Sequence, residues 1–429
     1  MPRYKPLVIV SKLTGALFGM AAWSLLLGSA SAWADPGDAA LTVDQALAAA
    51  FAHNPELAAA QWERGIAEGD RQQAGLRPNP ELSWEAEDTR RNSRTTTLTL
   101  SQPLELGGKR GARIEVASRA QEIAAIEWEQ QRNALRAEVL LAFYSASTAQ
   151  QRVALARQSL ALAERGLQVA DGQIRAGKSS PVEGTRAQVQ HAQVRLELQR
   201  AERDAANAYL QLATVTGSAR PGFHRVQESA GALPTVPSEA LLLQRIDDTA
   251  ELRLAVLRID QREASLGLEK AQRIPDLTLS LGSQYSELER ERVNVVGVSM
   301  PLPLFNRNQG NVLAAARRAD QARDQRNATA LRVRSEVQNA LQQWQTAEAE
   351  VSAFQQRILP AAQSAVDTAT RGFEMGKFNF LDVLDAQRTL IGARGQYLQA
   401  IADNTEAWVR IERIFGDLGT PEAPALSGF

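Results

Sequence analysis

Residues Arg371 to Gln387 read RGFEMGKFNFLDVLDAQ. A helix ends there, Gly376 turns the chain, and a new helix begins. Residues Asp171 to Gln188, DGQIRAGKSSPVEGTRAQ, have the same shape around Gly177. Gly177 and Gly376 lie 199 positions apart, and so do Gly217 and Gly416, which close the helices that follow each turn. Recurrence at a fixed offset reads as two tandem copies of one long unit.

Upstream of each turn runs a long helical pattern. From Lys109 to Ala176 there is no proline. Leu135, Val139, Ala142, Ala146, Ala149, Val153, Ala156, Leu160, Ala163, Leu167, Ala170 and Ile174 alternate spacings of four and three, a heptad seam. At 1.5 Å per residue this predicts a rod of roughly 100 Å. The second rod is predicted over 311–375, with Leu359, Ala362, Val366, Ala369 and Phe373 on its seam. After each glycine turn a shorter helix follows, to about Thr216 and Ile414.

Before each rod the period changes to two. Leu82, Trp84 and Ala86 alternate with Ser83, Glu85 and Glu87, and Leu98 and Leu100 alternate with Thr97, Thr99 and Ser101. In the second copy Leu277, Leu279 and Leu281 lead to a charged turn and then Val296, Val298 and Met300. Both stretches predict β-hairpins with polar tips. A helix precedes each hairpin, from Thr42 to about Leu76 with a break at Asn54-Pro55, and from Ser238 to Ala271.

The N-terminus has the pattern of an export signal. Arg3, Lys5 and Lys12 precede an apolar stretch, and Ala32-Trp33-Ala34 offers a cleavage site before Asp35. Losing those three positive charges takes the net charge from −1 to −4, which argues against a nucleic-acid partner. The 429 residues contain no cysteine, so neither disulfides nor an acylated N-terminal Cys are expected. The expected organisation is a signal peptide (1–34), a first repeat (35–216), a linker (217–238), a second repeat (239–416) and a tail (417–429).

The expected fold is mainly α with a small transmembrane β part. In each copy the two shorter helices together match the rod, so they should lie end to end along it, with the hairpin at one end and the glycine turn at the other. Four strands cannot close a barrel, and lipid does not tolerate open sheet edges. Two chains would give eight strands with a filled interior, whereas three would give twelve and leave a lumen. A structural coiled coil without a channel would leave the alternating hairpins unexplained. A periplasmic adaptor would carry one long α-hairpin between β-domains, not two rods.

Gly376 with Leu381-Asp382-Val383-Leu384-Asp385-Ala386, and the weaker copy at Gly177, resemble the TolC-type outer-membrane factors. The likeness covers nearly all of the mature chain. Ser101 to Arg110 (SQPLELGGKR) and Pro301 to Gly310 (PLPLFNRNQG) are similar to the heavy-metal (cobalt, zinc, cadmium) efflux branch. The resemblance implies a homotrimer with a twelve-stranded barrel above a twelve-helix α-barrel. It implies an inner-membrane proton-driven pump and a periplasmic adaptor as partners, and outer-membrane lipid around the barrel. The cargo it implies is heavy-metal cations, with drugs or type I secreted substrates as the alternative. It also implies docking of the adaptor at the tip turns, Gly177-Lys178 and Gly376-Lys377, and a constriction lined by Asp382 and Asp385. Threefold symmetry would gather six carboxylates there, a ring that favours cations. Acids in a first helical turn also suit the helix dipole alone. The first copy has Glu183 and Arg186 at the matching positions, so the ring would come from the second copy.

Gly172 to Ser179, GQIRAGKS, matches a phosphate-binding loop formally. That loop needs a strand before it, and here a heptad-patterned helix precedes it. His53, His191 and His224 are scattered, so no dedicated metal site, no cofactor and no catalytic group is expected.

Overall fold

The computed structural model describes residues 40–88, 90–178, 180–227 and 235–416. The signal segment, the tail and part of the linker lie outside the described residues. Helix α1 spans Val43–His53 and starts with a capping box between Thr42 and Gln45. Helix α2 spans Pro55–Ala74, strands β1 and β2 span Glu81–Glu87 and Thr95–Leu104, and α3 spans Lys109–Arg175. Helix α4 spans Pro181–Val215, with Ser180 as its cap and Pro181 in its first turn. After α5 (Glu239–Gln244) come α6 (Ala250–Ala271), β3 (Leu277–Ser286) and β4 (Glu291–Ser299). Helices α7 (Gln309–Ala353), α8 (Leu359–Glu374) and α9 (Phe380–Phe415) complete the described chain.

Three features differ from the sequence expectation. The helix expected from Ser238 to Ala271 is divided by a short 3-10 turn, Ile246–Asp248. Thr249 is extended there; its hydroxyl donates to Ile246 O at 2.7 Å and accepts from Leu252 N at 3.4 Å, so it caps a fresh helix. The second rod is not one α-helix either. A π-turn at Phe354–Ile358 joins α7 to α8. Pro360 has no N–H to donate back into the preceding turn, and the widened turn absorbs that loss. Tyr397 of α9 flanks the π-turn, accepting from Gln355 Nε2 at 2.7 Å and meeting the Phe354 ring at 6.3 Å between centroids. The third difference is Phe373, which is exposed, while Ala362, Val366 and Ala369 are buried on the seam.

Helix α3 packs against α2 and α4, and also against α6 and α9. Helix α7 takes the far side of α6 and α9, and α8 packs on α9. The main core sits where the shorter helices meet end to end, around Leu47, Leu57, Val139, Leu212, Trp344 and Ile411. Burying a side chain such as Leu212 stabilises the fold by about 2 kcal/mol.

The joint between α4 and α2 is closed by two residues. Asn54 caps α2, its Oδ1 accepting from Glu56 N at 2.9 Å and Leu57 N at 3.1 Å. Its Nδ2 donates to Val215 O at 3.1 Å, so one buried amide serves both helix ends. Gly217 then ends α4 at φ +85°, with Ser218 N bonded to Ala213 O at 2.8 Å.

The strands form one antiparallel sheet in the order β1-β2-β3-β4, so the two hairpins pair through β2 and β3. Lys109 Nζ, at the start of α3, meets Asp276 Oδ1 at 2.6 Å, tying the first rod to the start of the second hairpin. Arg113 pairs with Glu105 and holds that carboxyl below the usual range.

Candidate functional site

Two parts of the structure bear on function: the glycine-turn tips and the two faces of the sheet. At the second tip Gly376 has φ +69°, its N–H bonds to Phe373 O at 2.9 Å, and Lys377 N bonds to Gly372 O at 2.8 Å. The first tip repeats the pattern. Gly177 has φ +68°, with Gly177 N to Ile174 O at 3.0 Å and Lys178 N to Gln173 O at 2.8 Å. Both are left-handed helix ends in which the glycine avoids the Cβ penalty. Lys178 and Lys377 are exposed beside them. The second turn is closed further by Phe378. Its ring lies so near Gly372 that a Cβ there would fall 2.1 Å from it.

Asp382 and Asp385 are both exposed, at the start of α9, while Val383 and Leu384 between them are buried. They therefore share the side of the helix that the rest of the chain leaves open. Asp382 also has a local task. Its Oδ2 accepts from Asn379 N at 3.0 Å, and Asn379 Oδ1 accepts from Asp382 N at 3.0 Å, a reciprocal cap. Asp382, but not Asp385, borders a shallow cleft of about 760 Å³ on α8, lined by Ala361, Ser364, Ala365, Thr368, Ala369 and Phe378. Gly172 lies inside α3, so no strand precedes the GQIRAGKS stretch. His53 ends α1, His191 lies on α4 at 3.9 Å from Glu164, and His224 is in the segment before α5.

The sheet has one apolar face and one largely polar face, the latter interrupted by Val293 and Val295 of β4. Leu82, Leu100, Leu281 and Val296 stand in one register row across all four strands. Trp84, Leu98, Leu279 and Val298 share their face, and all eight are exposed in the single chain. The other face carries Glu81, Ser83, Glu85 and Glu87 on β1, Thr95 to Ser101 at alternate positions on β2, Ser280, Gln284 and Ser286 on β3, and Glu291 on β4. No lysine or arginine stands on that face within the strands. The sequence reading missed Glu81 and Glu291 as members of this wall. The pairing of Ser286 with Glu291 sets the register that places Glu291 there.

An apolar band opposite a polar wall is the signature of a strand set in an outer-membrane barrel. The chain matches the family described as "Outer membrane efflux protein" over residues 46–218 and 242–417. It belongs to that family. It is 40% identical over 376 residues, 88% of this chain and 90% of the other, to "Cobalt-zinc-cadmium resistance protein CzcC" of Cupriavidus metallidurans. Among solved structures, the outer-membrane channel OprN superposes with a TM-score of 0.71 at 21% identity, covering 86% of this chain and 89% of that one. The Campylobacter jejuni CmeC outer membrane channel gives a TM-score of 0.71 at 16% identity and covers 94% of both chains. As an outer membrane efflux protein the chain is a non-catalytic exit channel of a tripartite efflux system, set in the outer membrane and spanning the periplasm. In an outer-membrane barrel the apolar face of a strand meets lipid and the polar face lines the interior.

Proposed function

We propose that three copies of the chain close a twelve-stranded barrel and a continuous helical duct that passes divalent heavy-metal cations outward. The observation that carries the cargo is the 40% identity, along nearly the whole chain, with a protein described as conferring cobalt, zinc and cadmium resistance. The channel-facing wall supports it: Glu81, Glu85, Glu87 and Glu291 place negative charge along the strands with no cation on that face to offset it. Rings of carboxylates favour cations in a pore. The free edges of β1 and β4 support closure by further copies, since lipid requires every strand edge to be paired, and three copies leave a lumen where two would not. The mass of the detergent-solubilised particle should equal three chains, and a stable monomer with intact strands would refute the shared barrel.

At the other end, the tips formed by Gly177-Lys178 and Gly376-Lys377 receive a periplasmic adaptor, which links the duct to an inner-membrane pump. Asp382 and Asp385 line the narrowest point of the duct. Cells that depend on this chain should regain zinc, cobalt and cadmium tolerance when it is restored. No gain in tolerance, with trimers present in the outer membrane, would overturn the cargo.

Gly376→Val separates docking from assembly. A β-branched residue at φ +69° costs roughly 2 kcal/mol locally and deforms the turn. Trimer yield should stay near normal, while metal tolerance and cross-linking to the adaptor fall. Normal cross-linking in this variant would remove the tip from the docking surface.

A further inference from the structure

The lipid-facing side of the sheet has two margins. Each register row on this face is two residues further along the strand. From the Leu104–Leu277 row to the Thr96–Tyr285–Arg292 row is eight residues, roughly 27 Å along the strand and about 20 Å across the membrane at the usual barrel tilt. That is nearly the height of an outer-membrane apolar band, so the second row sits at its outer edge. Tyr285 and Arg292 are direct register partners there. Arg292 shares its face with Val296 and Val298, so its guanidinium lies on the lipid side, while Glu291 next to it lies on the channel side.

At the inner margin Lys109 is paired with Asp276 and Arg113 with Glu105. At the outer margin Arg90 is paired with Asp88 at 2.7 Å and Arg94 with Glu287 at 3.6 Å. Among the described residues no carboxylate pairs with Arg292, which is exposed. An arginine at the lipid boundary with no anion from its own chain is stabilised by an anion from outside that chain. A planar guanidinium fits phosphate in a two-pronged manner, and a tyrosine hydroxyl at the same depth adds a donor.

We propose that this margin binds the phosphate groups of outer-leaflet lipid, with Arg292 as the anchor and Tyr285 beside it. The occupant is a phosphorylated lipid rather than a free anion, because the apolar rows below Arg292 continue directly into the site and would hold acyl chains against it.

The test uses the full-length oligomer in detergent. The melting temperature of its heat-modifiable band is followed with added lipid A carrying both phosphates, with the same lipid dephosphorylated, and with inorganic phosphate. The phosphorylated lipid should raise the midpoint by several degrees more than the dephosphorylated form. Arg292→Gln should lose at least half of that difference, and Arg292→Lys, which keeps the charge and the fold but not the fork, should lose part of it. Equal shifts from both lipids in the unaltered protein would overturn the proposal, as would an undiminished difference in either variant. A comparable rise with inorganic phosphate alone would mark a free-anion site and overturn the lipid assignment. The placement of this face toward lipid rests on family membership, not on the cargo, so metal tolerance is free to remain normal whichever result is found.

Discussion

Changing Asp382→Asn together with Asp385→Asn is expected to lower the cation-to-anion permeability ratio of the channel in planar bilayers. It should also weaken block by divalent or trivalent cations from the tip side, roughly tenfold. The two carboxylates share the open side of α9, with Val383 and Leu384 buried between them. If symmetry gathers them around one axis, six negative charges face a narrow lumen where mobile ions screen them weakly. The double change removes the charge and leaves the helix start in place. An asparagine at 382 still offers an oxygen to Asn379 N, so the reciprocal cap survives. Added salt should therefore reduce the difference between the two proteins less than it would for charges on an outer surface. Unaltered selectivity and block, with normal trimer yield, would assign both residues to an ordinary solvated helix face.

Gly217→Val is expected to have the largest effect on stability, roughly 4 kcal/mol. A Cβ at this position would stand 2.5 Å from His53 O and 2.7 Å from His53 C, both backbone atoms with no freedom to retreat. The backbone is also at φ +85°, where a β-branched residue is strained regardless of space. Relief requires α4 to separate from α1, which pulls Val215 O away from the buried Asn54 amide and leaves two helix ends unsatisfied. The thermal midpoint of the helical circular dichroism signal should fall by several degrees and oligomer yield should drop. Gly222→Val is the control. Nothing lies within 4 Å of its added Cβ and its φ is not positive, so it should change little. Equal behaviour of the two variants would show that the joint tolerates separation.

Much of this fold was legible in the residues because its parts have different periods. Alternation at Leu82-Trp84-Ala86 and at Leu277-Leu279-Leu281 marked strands, and the four-three spacing from Leu135 to Ile174 marked the first rod. Glycine at 177 and 376 marked the tips, where only a residue without Cβ is at ease. The breaks were harder to see. Thr249 interrupts a helical pattern with no proline or glycine nearby, but Thr249-Ala250-Glu251-Leu252 parallels Asn54-Pro55-Glu56-Leu57, a cap followed by a first turn. The unbroken second rod predicted over 311–375 passes over Pro360, although a proline inside a helical pattern marks a disturbance. Phe373 looked like a seam residue because its spacing was right. It lost that place because Phe378 lies on Gly372 next to it, a contact between residues on either side of a turn. Glu81 and Glu291 joined the channel wall only once strand register was known, since each stands at the end of its alternating stretch.

The π-turn at Phe354–Ile358 makes the two tips mechanically unequal. From the sheet to the first tip runs a single ladder of helical hydrogen bonds, the 67 residues of α3, which acts as a strut. The matching rod of the second copy, α7 to α8, passes through a joint, where the ladder is widened and Pro360 contributes no donor, so that α9 alone runs unbroken from the second tip. Beyond that joint α8 leans on α9 and on little else in its own chain. A push on both tips would therefore be resisted more by the first, which has two unbroken helices behind it, than by the second, which has one and which carries Asp382 and Asp385. Amide exchange should report this compliance, faster at Gln355 to Ile358 than at the stretch of α3 around Leu155, which touches the same part of α9 near Gly395. Equal protection in the two stretches would mean that the joint is as stiff as the strut.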